Sequence, residues 1–317
     1  MGPPGTLSYG RLSAINRRAA LFFFLYLGAI LYLSLYPWRI VASPVPRILV
    51  WVPLSSRRTF LDAGLNVVFY IPLGAGACLS IRKRAIGVIA ALSAGIMASF
   101  TVEELQLAIP GRFGNLTDLA CNTLGTLLGV AAAVAVTTRP LARRLRMFYS
   151  PGVLLAALWI VWQAFLFLPR YGPSIDVGHE IAGSLLLALL AGSGRINSPK
   201  FMLFSWLALI WLAVDELRPF QFEGPPQRFS WLPFESWFVD APDSFYGNIF
   251  GKLFFDTAIL WMERKAGLRW LWAAALPALI LTGGELAQIY LPGRTPETTD
   301  LFLLAAGGVM LRMVETG

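Results

Sequence analysis

Glu103-x-x-Gln106-x-x-x-Pro110-Gly111-Arg112, followed by Thr117-Asp118-Leu119 and Gly125, occurs a second time as Glu285-x-x-Gln288-x-x-x-Pro292-Gly293-Arg294, followed by Thr299-Asp300-Leu301 and Gly307. Every matched residue is displaced by 182 positions, as from Glu103 to Glu285, and no gap is needed. Apolar sequence aligns Leu or Gly by chance but rarely Glu, Gln, Arg and Asp together, so the chain reads as an internal duplication. In each copy an apolar run reaches the Glu, breaks at Pro-Gly and resumes at the Asp. The motif is therefore the turn between two hydrophobic helices. Glu and Gln three apart share a helix face. Thr117 and Thr299 are placed to accept from the free N–H groups of the next helix, and the Asp that follows suits its positive end. The Arg, lying between two carboxylates in sequence, is expected to bridge them as a fork.

The composition around this motif is that of a protein dissolved in lipid. Hydrophobic residues make up 56% of the chain and charged residues 14%, with a mean hydropathy of +0.63. This implies an all-α, polytopic helical membrane protein. Cys78 and Cys121 are the two cysteines and both lie in apolar runs, and His179 is the single histidine. A disulfide framework, a zinc cluster and a cofactor site built on such residues are thus not expected, and no metal ligands are assigned. The net charge of +8 comes from basic residues in short loops between spans, which is a topology signal and not one for nucleic acid.

Ten segments approach the roughly 20 residues that a bilayer core of about 30 Å requires. They run over 21–37, 64–81, 85–109, 118–136, 153–168, 176–191, 201–217, 244–262, 268–291 and 300–314. The first follows Arg11, Arg17 and Arg18 without a cleavage-like ending and is read as a retained span. With the N-terminus inside, sixteen Lys and Arg residues fall in inner loops and nine in outer ones, and Lys252 falls within a span. This favours a cytoplasmic N- and C-terminus. The displacement extends to Asn66 with Asn248 and Pro37 with Pro219. Each repeat then holds four spans, and six spans separate equivalent points, so the repeats are expected to be parallel and both Pro-Gly-Arg turns external. The expected boundaries are 1–140 for the first repeat, 141–198 for a two-span insertion and 199–317 for the second.

On this topology Glu103, Gln106, Glu285 and Gln288 end outward-going helices, and Asp118, Asn122 and Asp300 begin inward-going ones. Asp176, His179 and Glu180 open the sixth span, Asp215, Glu216 and Arg218 close the seventh, and Asn66, Asn248 and Lys252 lie in the outer half of theirs. A charge at mid-bilayer costs about 2.5–3.5 kcal/mol on insertion scales, so these groups should face one another or a wet cavity. Two readings stand: a polar clamp pinning helix ends, or a hydrated, charged cavity that binds a headgroup or precursor. Lys252 and Asp256 are spaced for a helical pair, His179 beside Glu180 has the makings of an acid/base couple, and Tyr36, Trp38, Trp51, Trp231 and Trp237 suit interface anchors.

At these residues the chain resembles the VanZ-like family of bacterial membrane proteins. The resemblance rests on Asp62, Asn66, Phe69-Tyr70-Ile71-Pro72-Leu73-Gly74, Glu103, Gln106, Gly111-Arg112, Asp118, Asn122, Gly125 and Gly129. The second copy is partial: it keeps Asn248, Glu285, Gln288, Gly293, Arg294, Asp300 and Gly307, while Phe254, Asp256 and Leu304 replace Pro72, Gly74 and Asn122. The resemblance implies a cell-envelope protein linked to teicoplanin susceptibility. The candidate binding residues are Asn66, Glu103, Gln106, Arg112, Asp118, Asn122, His179, Glu180, Glu285, Gln288, Arg294 and Asp300. The partners expected are membrane lipids, an anionic or lipid-linked envelope precursor and other envelope proteins, with the arginines on phosphate or carboxylate. A membrane hydrolase or transferase and a transporter or flippase are the alternatives.

Overall fold

The computed structural model describes residues 15–41, 48–110, 112–137, 150–166, 177–236 and 245–315. Gly111, Asp176 and Trp237 of the sequence reading lie outside the described residues. The chain divides into two compact units, Met1–Leu145 and Arg146–Gly317.

The first unit holds α1 (Arg17–Leu35), α2 (Arg57–Ser80), α3 (Arg84–Gln106) and α4 (Leu116–Val136). Each start has a local cause. The Asn16 side chain accepts from the Ala19 N–H ahead of α1, and Ser56 and Thr59 form a reciprocal capping box ahead of α2. Asn115 Oδ1 takes the Thr117 N–H at 2.8 Å ahead of α4. Asn115, and not the expected Thr117, is thus the cap of α4. The Thr117 hydroxyl turns back to Val52, donating to its carbonyl at 2.7 Å and accepting from its N–H at 3.1 Å. Helices α2 and α4 approach closely because small residues line the seam. A methyl added at Gly125 would meet the Val67 carbonyl oxygen, and one at Gly129 the Ile71 carbonyl oxygen.

The second unit holds α5 (Pro151–Leu166), α6 (Val177–Ala191), α7 (Ser198–Leu217), α8 (Phe245–Lys265), α9 (Trp270–Gln288) and α10 (Thr299–Glu315). Helix α8 is its axis, packing on α5, α7, α9 and α10. Every residue from Leu253 to Glu263 is buried. A helix enclosed on all sides by protein tolerates Lys252, Asp256 and Glu263 where a lipid-facing one would not. The aromatic centre is Trp162, Phe254 and Phe255, with Trp162 and Phe255 ring centroids 5.5 Å apart.

Each of the ten expected segments contains an α-helix, and no strand occurs, among the described residues. Five helices are long and apolar enough to cross a membrane: α1, α2 from Thr59, α3, α4 and α9. Helices α5, α6 and α10 have 16, 15 and 17 residues, short of that length. Helix α7 carries Asp215-Glu216 in its last turn, and α8 has the internal charges just named.

Candidate functional site

In the first unit Glu103 is buried at the end of α3, and its Oε2 accepts the Asn115 N–H at 2.6 Å. Gln106, one turn on, donates to the Ser34 carbonyl at 2.9 Å. That carbonyl is among the last of α1 and has no partner in its own helix. The two motif residues thus stitch the start of α4 and the end of α1 to α3. Asp118 lies beside Asn66 and Asn115, with Asp62 nearby. Asn122 donates to the Ser99 hydroxyl at 3.0 Å, and Arg112 is exposed.

The second unit contains the corresponding bonds. Glu285 Oε2 accepts the Glu297 N–H at 2.7 Å, and Gln288 donates to the Glu216 carbonyl at 3.2 Å and to its carboxylate at 2.6 Å. Arg294 does not bridge the motif carboxylates as its position in sequence suggested. Its guanidinium donates to the carbonyls of Arg218 at 2.9 Å and Asp215 at 2.5 Å, capping the negative C-terminal end of α7. Glu297 sits in the turn before α10, where its carboxylate accepts from the Ser236 N–H at 3.1 Å and from the Thr299 hydroxyl. Burial pushes this carboxyl above the usual glutamate range, and those two donors offset part of the rise.

Beside this clamp the second unit opens into a cavity of about 180 Å³ between α5, α6, α7, α8, α9 and α10. His179, Glu180 and Asp300, three of the residues proposed from sequence, line it. So do Asp215, Glu216, Lys252 and Asp256. His179 Nε2 lies 3.4 Å from Asp215 Oδ2, and its ring stands edge-on to Trp211 and Phe255. Glu180 does not pair with His179 as an acid/base couple: both its oxygens accept from Gln163, at 3.2 and 3.0 Å.

Lys252 Nζ is 2.5 Å from both oxygens of Asp300 on α10. The expected Lys252–Asp256 pair along α8 is replaced by this cross-helix pair, because the ammonium finds both carboxylate oxygens of Asp300 at once. One carboxylate oxygen each of Glu216, Glu285 and Asp300 falls within 4.8 Å of the others. Such a grouping could hold a cation, and the Lys252 ammonium already supplies positive charge at Asp300. Spacing in the sequence gave no sign of this three-helix cluster.

The walls of the cavity were also missed from sequence. Trp162, Trp211 and Phe255 belong to three different helices and come together only in the packed unit. A partial signal did exist. At the 182-residue displacement, Asp215-Glu216 stands against Leu33-Ser34, Lys252 against Tyr70 and Asp256 against Gly74. The second copy therefore carries charge where the first has none.

Residues 23–137, which take in most of α1 and all of α2–α4, match the VanZ-LLP1 family model, VanZ/LLP1. The chain carries a VanZ/LLP1 domain. With five helices suited to crossing a bilayer, the chain that carries this domain is a membrane protein in contact with lipid. Searches of the curated proteins and of the solved structures gave no match to it.

Proposed function

We propose that this VanZ-family protein is a binding protein of the bacterial cell envelope, in which the charged cavity of the second unit receives the polar head of a lipid-linked envelope component. Cavity walls that combine aromatic rings with acidic and basic side chains, in a unit built of apolar helices, are the observation that carries this reading. His179, Glu180, Asp215, Glu216, Lys252, Asp256 and Asp300 are its binding residues. Glu103 with Gln106 and Glu285 with Gln288 hold the helix ends, which gives the duplicated motif an architectural role in both repeats. Arg294, occupied by the carbonyls at the end of α7, belongs with them. The bilayer is the plasma membrane, with both termini cytoplasmic and the motif turns external, and occupancy of the cavity alters glycopeptide susceptibility.

Native mass spectrometry of the full chain, extracted with its own lipids, tests the reading. A retained envelope lipid is expected. It should be lost when Leu212, on the cavity wall, is replaced by Trp to fill the space, while helical content and elution volume stay unchanged. A chain that retains no lipid, or retains it equally after the cavity is filled, would contradict it.

A further inference from the structure

Asp256 lies in the middle of α8, lines the cavity and is only 4% exposed. No described residue donates a hydrogen bond to its carboxylate. Each neighbouring acid is already engaged: Asp300 with Lys252, Asp215 with His179, Glu216 with Gln288 and Glu180 with Gln163. Among the described residues five acidic side chains thus line the cavity, against the basic side chains Lys252 and His179. A buried carboxylate without a donor is costly, and a positive group entering the cavity would offset that cost. Aromatic rings line the cavity together with these acids. Trp211 and Phe255 lie 4.9 Å apart with their rings tilted at 35°, and Trp162 is 5.5 Å from Phe255. Aromatic faces beside carboxylates are the surroundings in which ammonium groups are held. The volume of about 180 Å³ is enough to admit a small amine.

We infer that the cavity binds a small organic ammonium group, with Asp256 as its counter-charge and Trp211, Phe255 and Trp162 as its walls. This rests on the proposed function and names the chemistry of the part of the ligand that enters. It reverses the sequence-based expectation of an anionic ligand clasped by Arg112 and Arg294. The absence of Asp256, Lys252, Asp215 and Glu216 from the corresponding positions of the first copy makes the site a property of the second unit.

The full chain in detergent would be titrated with ethanolamine hydrochloride and with tetramethylammonium chloride. Sodium chloride, magnesium chloride and inorganic phosphate at matched ionic strength serve as controls, and the fluorescence of the cavity tryptophans is the signal. Nanodiscs of phosphatidylglycerol, with and without phosphatidylethanolamine, separate a lipid headgroup from a free amine. A saturable change with the ammonium salts alone is expected, weakened about tenfold or more in Asp256→Asn. Trp211→Leu should weaken it as well, while Trp211→Phe retains it. If Asp256→Asn fails to fold, the two Trp211 variants still decide: equal affinity in both overturns the inference. So does an identical response to sodium or magnesium, or binding that survives in a folded Asp256→Asn. A saturable response to phosphate alone would overturn the cationic assignment while leaving the cavity a binding site. No response to any probe, with no copurified lipid, would overturn the parent reading too.

Discussion

The Glu285 carboxylate accepts the backbone N–H of Glu297 at 2.7 Å, across the turn between α9 and α10. Both side chains are buried, at 4% and 3% exposure. The bond ties the start of one helix to the end of the one before it. Glu285→Ala leaves a buried N–H without an acceptor and should cost about 1–3 kcal/mol. Glu285→Gln keeps a carbonyl oxygen in place and should cost less. Thermal unfolding of the full chain in detergent checks the order, and the same ranking is expected at Glu103, whose carboxylate holds the Asn115 N–H at 2.6 Å.

Lys252→Met strands the Asp300 carboxylate, which is buried while the lysine side chain is 39% exposed. Removing one partner of a buried pair is expected to cost about 3 kcal/mol. The double variant Lys252→Met, Asp300→Asn should recover part of the loss, because the Asp300 charge is then removed together with its partner. Measuring both by thermal unfolding separates this from a loss of packing, in which the double variant would be no better than the single.

Gly129→Ala drives a methyl into the Ile71 carbonyl oxygen and forces α2 away from α4. A destabilisation of about 1–3 kcal/mol and a lower folded yield are expected. Gly28→Ala is the control: nothing lies within 4 Å of the new methyl, so the helix preference for Ala should leave it neutral or slightly stabilised, by up to about 1 kcal/mol.

Burial raises the Glu297 carboxyl above its usual range. The folded state therefore keeps this proton to higher pH than the unfolded chain, in which glutamate titrates at about 4.3. The contribution to stability is present below the unfolded value and is lost as pH climbs through the raised one. Glu297→Gln removes this dependence. The difference in melting temperature between wild type and variant should shift in favour of the variant as pH rises over that window, and a constant difference would refute the assignment.

The helices were legible in the sequence because apolar runs broken by Pro-Gly or by basic residues leave few alternatives. Expected and observed ends differ by only a few residues in most of them, although α2 begins seven residues earlier than read, at Arg57, since the Ser56 capping box holds two arginines inside the helix. Glu103, Gln106, Glu285 and Gln288 were recognisable as a unit because the sequence repeats them. What escaped was long-range pairing. Asp256 sits one turn from Lys252, yet Asp300, 48 residues away, takes the ammonium. Arg294 has carboxylates near it in sequence but reaches carbonyls 76 and 79 positions back. Which acceptor lies closest depends on how α7, α8 and α10 pack, and no local pattern encodes it. Likewise, α8 is too charged to be read as facing lipid, and only the helices around it explain how it is accommodated.

The central claim is that the cavity beside Asp256 is a ligand site. An experimental structure of the full chain in its native lipids is the most direct test. The account predicts ligand density between Asp256 and the Trp211 and Phe255 rings. A cavity collapsed onto itself, with the Asp256 carboxylate satisfied by a protein side chain and no ligand present, would contradict it.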